Sequence, residues 1–181
     1  MNNKTEMATL ANGCFWCSEA IFKRLRGVKS VLPDYAGGLV KNPSYDQVCD
    51  GKTGHAESIQ IEFDPKVITF EKILDIFWHT HNPTTLNRQG NDIGTQYRSA
   101  IFYHDQKQKE LAEKSKKDLE KEGAYRDSVV TEITPFKNFY PAEDYHNYEK
   151  HEDAQYCSFV IDPKMHKLIQ EYRDSLREEY K

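Results

Sequence analysis

Six segments ahead of residue 104 follow one another as strand, helix, strand, strand, helix, strand, and that order leaves few folds open. Met7 to Ala11 is a short apolar strand that stops at Asn12-Gly13. A helix follows from about Phe15 to Arg26, with Ile21, Phe22 and Leu25 at helical spacing and Gly27 just past its end. Val28 to Tyr35 reads as a second strand, interrupted by Pro33 and closed by Gly37-Gly38. Ser58 to Phe63 alternates apolar residues at Ile59, Ile61 and Phe63 and ends at Asp64-Pro65. Thr69 is placed to cap a helix whose stripe is Phe70, Ile73, Leu74, Phe77 and Trp78. Ser99 to Tyr103 is the fourth strand. The pattern predicts an α+β fold, a ferredoxin-like split βαβ two-layer sandwich.

Two long polar loops interrupt it, one running from Gly38 to His55 and one from His81 to Gln96. Loops of that length inside a compact domain are usually functional. Beyond Tyr103 come a highly charged helix from Asp105 to Glu122 and a strand from Val129 to Thr134. Asp162-Pro163 opens a C-terminal helical extension with Met165, Leu168, Ile169, Tyr172 and Leu176 on one side. With 181 residues and no repeat or linker, the chain is expected to form one catalytic domain over 1–181. A formal net charge of −4 without a basic block argues against a nucleic-acid partner. No apolar run is long enough to span a membrane, and Met1 to Glu6 holds no signal-peptide core, so a cytoplasmic protein is expected.

Chemistry is concentrated at Gly13-Cys14-Phe15-Trp16-Cys17, where the first strand turns into the first helix. A thiol there sits among free N–H groups at the positive end of the helix dipole, which favours the thiolate. Two large rings beside it offer an apolar pocket. The other cysteines are Cys49, read as a small buried hydrophobe, and Cys157. The residues alone leave two other readings open. One is a thioredoxin-like dithiol-disulfide oxidoreductase built on Cys14-x-x-Cys17. The other is a zinc module on Cys14, Cys17 and Cys157 or a histidine. Structural zinc sites usually show two paired ligand clusters, and only one pair exists, so no metal is expected.

Three segments together resemble the peptide methionine sulfoxide reductase A family: Gly13-Cys14-Phe15-Trp16, then Tyr45 through Gly54-His55-Ala56-Glu57, then Gly90-Asn91-Asp92-Ile93-Gly94-Thr95-Gln96-Tyr97-Arg98-Ser99. Tyr35-Ala36-Gly37-Gly38 and Glu143-Asp144-Tyr145-His146 also look like the family. The resemblance implies that Cys14 attacks the sulfoxide sulfur while Phe15 and Trp16 hold the substrate methyl group. It implies that Glu57 protonates the departing oxygen, that Tyr45 and Tyr97 hydrogen-bond that oxygen, and that Asp92 supports the site. Cys157 resembles the family's C-terminal resolving thiol; Cys17, standing where a glycine is commoner, is the competing one. The substrates would be free and protein-bound methionine sulfoxide, with thioredoxin or a similar dithiol as reductant and no metal or organic cofactor.

Physical chemistry asks for the same set. A sulfoxide oxygen leaves only if it is protonated as the thiolate attacks, so the acid must hold its proton near neutral pH. A glutamate with an ordinary pKa of about 4.3 does not. Burial against rings raises it, and a neighbouring thiolate raises it further. His55 is expected to be a structural loop residue, and His146 with Asp144 a local pair without chemistry.

Overall fold

The computed structural model describes residues 4–143 and 162–181. Its centre is a six-stranded mixed sheet in an α/β arrangement. The strands are β1 (Glu6–Asn12), β2 (Val28–Ala36), β3 (Ala56–Phe63), β6 (Ser99–Tyr103), β7 (Glu132–Pro135) and β8 (Phe139–Pro141), in the order β7-β6-β1-β3-β2-β8. Every pairing is antiparallel except β6 with β7. A two-stranded hairpin, β4 (Arg88–Gln89) with β5 (Asp92–Ile93), stands apart. The helices are α1 (Phe15–Lys23), α2 (Tyr45–Cys49), α3 (Phe70–His79), α4 (Gln106–Glu122) and α5 (Asp162–Tyr172).

Strand alternation divides the sheet into two unlike faces. One face presents Ala8, Leu10, Ile59, Ile61, Phe63 and Ile101, which share a core with Ile21 and Phe22 of α1, Ile73, Leu74 and Phe77 of α3, and Leu168 of α5. The other carries Ala11, Ala36, Ala56 and Ala100 beneath Phe102 and Phe136. Small residues on that side leave room for the Phe102 ring packed among them. A Cβ on Gly37, whose φ is +81°, would come within 2.6 Å of that ring.

Three expected boundaries move, and one loop gains a helix. Helix α1 stops at Lys23 rather than Arg26. The C-terminus claims the backbone beyond it: Leu25 bridges Leu176, the Arg26 N–H donates to Ser175 O at 2.8 Å, and the Arg177 N–H donates to Arg24 O at 3.0 Å. The strand expected from Val129 forms only from Glu132, because the Val130 N–H turns away to Pro83 O at 2.9 Å. β3 begins at Ala56 instead of Ser58, which puts Glu57 inside a strand rather than at its mouth. The first polar loop contains the helix α2, capped by Ser44 with a reciprocal bond from Gln47. The cap read at Thr69 is present, and Asp105, expected inside the charged helix, is instead the cap that precedes α4.

On the alanine face, Asp34 is fully buried opposite Ser58, whose hydroxyl donates to its Oδ1. Burial pushes this carboxyl up to about 8, against a smaller downward pull from the serine. A carboxyl raised in the folded state favours folding below its unfolded pKa and loses that contribution as pH climbs through its folded value. Asp34→Asn is therefore expected to match the parent in stability at pH 5 and to exceed it by more than about 1 kcal/mol at pH 9, read from urea midpoints at both pH values. Equal midpoints at pH 9 would show that Asp34 is not a protonated buried acid.

Candidate active site

The turn between β1 and α1 places Cys14 at the N-cap of α1, at φ −58° and ψ 126°, with Phe15 and Trp16 opening the first turn. Gly13 allows another loop to close on this turn: a Cβ there would meet the Gln89 side chain at 2.6 Å. Gln89 in turn binds the backbone of Asn82 through both amide atoms, accepting from its N–H and donating to its carbonyl, each at 3.1 Å. The β4–β5 hairpin is thereby held against the helix N-terminus, and Asp92 comes with it.

Tyr45, the first residue of α2, arrives from the other polar loop. Tyr97 arrives from the 3-10 turn Thr95–Tyr97 that follows the hairpin. Arg98 clasps the two loops together, donating to Gly54 O at 2.9 Å and to Thr95 O at 3.0 Å. Gln96 adds a bond from its Nε2 to Cys49 O at 3.5 Å.

These elements bring Cys14, Phe15, Trp16, Tyr45, Glu57, Asp92 and Tyr97 around one cavity of about 160 Å³. Glu57 projects from β3 on the helix-covered face and is 1% exposed. The Phe15 backbone N–H donates to its Oε2 at 3.2 Å, so the carboxyl sits at the same helix terminus as Cys14. Burial pushes Glu57 up to about 8; the Phe15 N–H opposes this, and Asp92 and Cys17 add to it. At neutral pH the carboxyl therefore holds its proton. Tyr45 and Tyr97 are also pushed upward, burial first. Next comes the bond to Cys49 for Tyr45 and the Glu57 charge for Tyr97. Both phenols stay protonated and can donate. The site thus joins a thiol, a protonated carboxyl and two hydroxyls around a pocket walled by two rings.

Cys17 lies one turn further along α1, 1% exposed and packed in the main core. Cys157, with Asp144 and His146, lies outside the described residues. His55 has both ring nitrogens engaged: Nδ1 accepts from the Gly38 N–H at 3.1 Å and Nε2 bonds Val40 O at 2.8 Å. That is a structural role. Cys49, expected to be a buried hydrophobe, is instead exposed on α2, with the Tyr45 hydroxyl bonded to its thiol. Burial of its sulfur raises its pKa, the tyrosine opposing, so it stays a thiol beside the pocket. The i, i+4 spacing of Tyr45 and Cys49 would have revealed the contact, had Ser44-x-x-Gln47 been read as a capping box. Among the described residues no group of three or more histidine, cysteine or acidic side chains could hold a metal ion.

Comparison with known proteins gives a consistent picture. The family model for peptide methionine sulfoxide reductase matches residues 6–176. The peptide methionine sulfoxide reductase MsrA of Sulfolobus acidocaldarius is 54% identical over 171 residues, covering 93% of this chain and 96% of that one. Among solved structures, Mxr1 of Saccharomyces cerevisiae in its reduced form superposes with a TM-score of 0.77 at 36% identity, covering 86% of this chain and 89% of that one. Mxr1 in complex with Trx2 matches with a TM-score of 0.56 at 28% identity, over 80% of this chain and 85% of that one.

Proposed function

The chain belongs to the peptide methionine sulfoxide reductase family, and on that premise we propose that it reduces methionine-S-sulfoxide, free or in proteins, to methionine through Cys14. The observation that carries this reading is the protonated, buried Glu57 at the helix terminus that also holds Cys14. The Cys14 thiolate attacks the sulfoxide sulfur, Glu57 delivers a proton to the oxygen, and the S–O bond breaks. Cys14 is then bonded through its sulfur to the methionine sulfur, and the released hydroxide attacks Cys14 Sγ. The S–S bond breaks with its electron pair going to methionine, which leaves, and Cys14 holds the oxygen as a sulfenic acid. Tyr45 and Tyr97 donate hydrogen bonds to the oxygen as charge develops there. Asp92 supports the raised pKa of Glu57, and Phe15 and Trp16 enclose the methyl group.

A second thiol then condenses with the sulfenic acid, releasing water and forming a disulfide. We assign this step to Cys157, with Cys17 the competing thiol; the burial of Cys17 within α1 supports that preference. Thioredoxin reduces the disulfide by exchange, a reading supported by the solved complex of the related Mxr1 with Trx2. The whole of 1–181 acts as one catalytic domain, and the cytoplasm is its compartment. Among the described residues no helix is long and apolar enough to cross a membrane. The fold itself reads as a ferredoxin-like split βαβ core extended by β7, β8 and α5. The strand order β6-β1-β3-β2, with α1 and α3 in one core, supports that description.

A paired assay separates this function from a general dithiol oxidoreductase. With thioredoxin, thioredoxin reductase and NADPH present, NADPH oxidation is expected with a methionine-S-sulfoxide peptide and absent with the R epimer. The chain is also expected not to catalyse insulin disulfide reduction by dithiothreitol. The reverse pattern would assign the chain to Cys14-x-x-Cys17 oxidoreductase chemistry.

A further inference from the structure

Two walls of the pocket meet at one carboxylate that the reaction described above leaves without a role. Glu143 follows β8, the edge strand pairing Tyr140 with Tyr35, and the Ala142 N–H donates to Pro33 O at 3.0 Å, fixing the chain one residue away. From there Glu143 Oε1 accepts the Tyr45 backbone N–H at 3.0 Å, and Oε2 accepts the Tyr35 hydroxyl at 2.8 Å. Tyr45 opens α2 and lines the cavity. Tyr35 is fully buried, and its ring lies 5.9 Å from that of Phe15, another lining residue.

We infer that Glu143 is a positioning residue of the reaction, clamping Tyr45 with one carboxylate oxygen and the Tyr35–Phe15 pair with the other. The inference rests on the reductase reading above. A helix of only five residues has little intrinsic stability, so the placement of Tyr45 depends on what holds its first turn. Its Ser44 cap is spent on Gln47, and the Tyr45 N–H is satisfied by Glu143. A carboxylate at this terminus also faces the favourable end of the helix dipole. The other oxygen fixes the tyrosine that backs the Phe15 wall. Losing the carboxylate would release Tyr45, which meets the sulfoxide oxygen, and loosen the ring that meets the methyl group. Two separable kinetic effects follow from that division.

The test is single-turnover reduction of a methionine-S-sulfoxide peptide by the full chain, across substrate concentrations. Glu143→Ala is expected to slow the saturated rate about tenfold and to raise the half-saturating concentration about threefold. Glu143→Gln, whose amide can still meet both partners, should recover most of each loss. In a Tyr45→Phe background, Glu143→Ala should slow the saturated rate by less than about twofold more, because the hydroxyl it positions is already gone. An equal loss in both backgrounds, or a parent-like rate for Glu143→Ala, would overturn the inference. Should Glu143→Ala fail to fold, Tyr35→Phe takes its place: a raised half-saturating concentration supports the clamp and an unchanged one contradicts it. Failure of the unsubstituted chain to reduce the S epimer would instead overturn the reductase reading, before any variant is compared.

Discussion

Cys14→Ser is expected to lower sulfoxide reduction by at least about a thousandfold while leaving the protein folded. The reaction needs an ionised nucleophile at the first turn of α1, and neither Glu57 nor the two phenols can serve as the base that ionises a serine. Glu57 holds its proton, and the phenols of Tyr45 and Tyr97 are pushed above their usual range. Serine differs from cysteine by one atom at a position that is only half-buried. Melting temperature should therefore change little, and a single-turnover assay would report the chemistry alone. Trapping of a sulfenic acid by dimedone, expected at Cys14 after one turnover with the resolving thiols replaced, should vanish with the substitution. Residual reduction within tenfold of the parent would move the nucleophile elsewhere, with Cys49 the next thiol to test.

Glu57→Gln gives the second large effect, and its pH dependence carries more information than its size. The chemical step should slow by roughly a hundredfold at pH 7, within the range for loss of a general acid. The sign of the pH effect follows from the raised pKa. The carboxyl donates only while protonated, so the single-turnover rate of the parent should fall as pH rises through about 8. The glutamine variant has no such proton to lose, and its high-pH limb should flatten. Stability should move the other way: a buried carboxyl forced to ionise loses its contribution to folding between its unfolded value and about 8, so the variant should gain stability relative to the parent above that range. A parent rate that is flat from pH 7 to 9.5 would remove Glu57 as the proton donor.

These effects were legible in the sequence to different depths. The residues around the cavity could be named because the three segments that hold them resemble one family; the residues alone pointed only to the thiol and the two rings beside it. The thiol sits at a strand-to-helix turn, the carboxyl at the start of an alternating strand, and the aspartate and tyrosine in a glycine-rich loop. The succession of the four longer strands and two longer helices through Tyr103 was also readable from their apolar periods, while α2 and the β4–β5 hairpin between them were not. What stayed hidden was small or distant in sequence. α2 is a single turn inside a polar loop, and only its capping box betrays it. β8 is three residues long and pairs at a sheet edge, so no periodicity marks it. The bonds from Glu143 to Tyr35 and Tyr45 span 108 and 98 residues, and no local pattern encodes such contacts. α1 ended early for the same reason, its last expected turn being taken by residues 175–177.

The central claim is that one thiol and one protonated carboxyl, held at the same helix terminus, reduce a sulfoxide of defined handedness. The most direct measurement is a single turnover without external reductant on the two resolved epimers of a methionine sulfoxide peptide, followed by mass-spectrometric mapping of the disulfide. About one equivalent of methionine from the S epimer alone, with Cys14 joined to Cys157 or Cys17, is the predicted result. Methionine from neither epimer, or a disulfide that excludes Cys14, would contradict it.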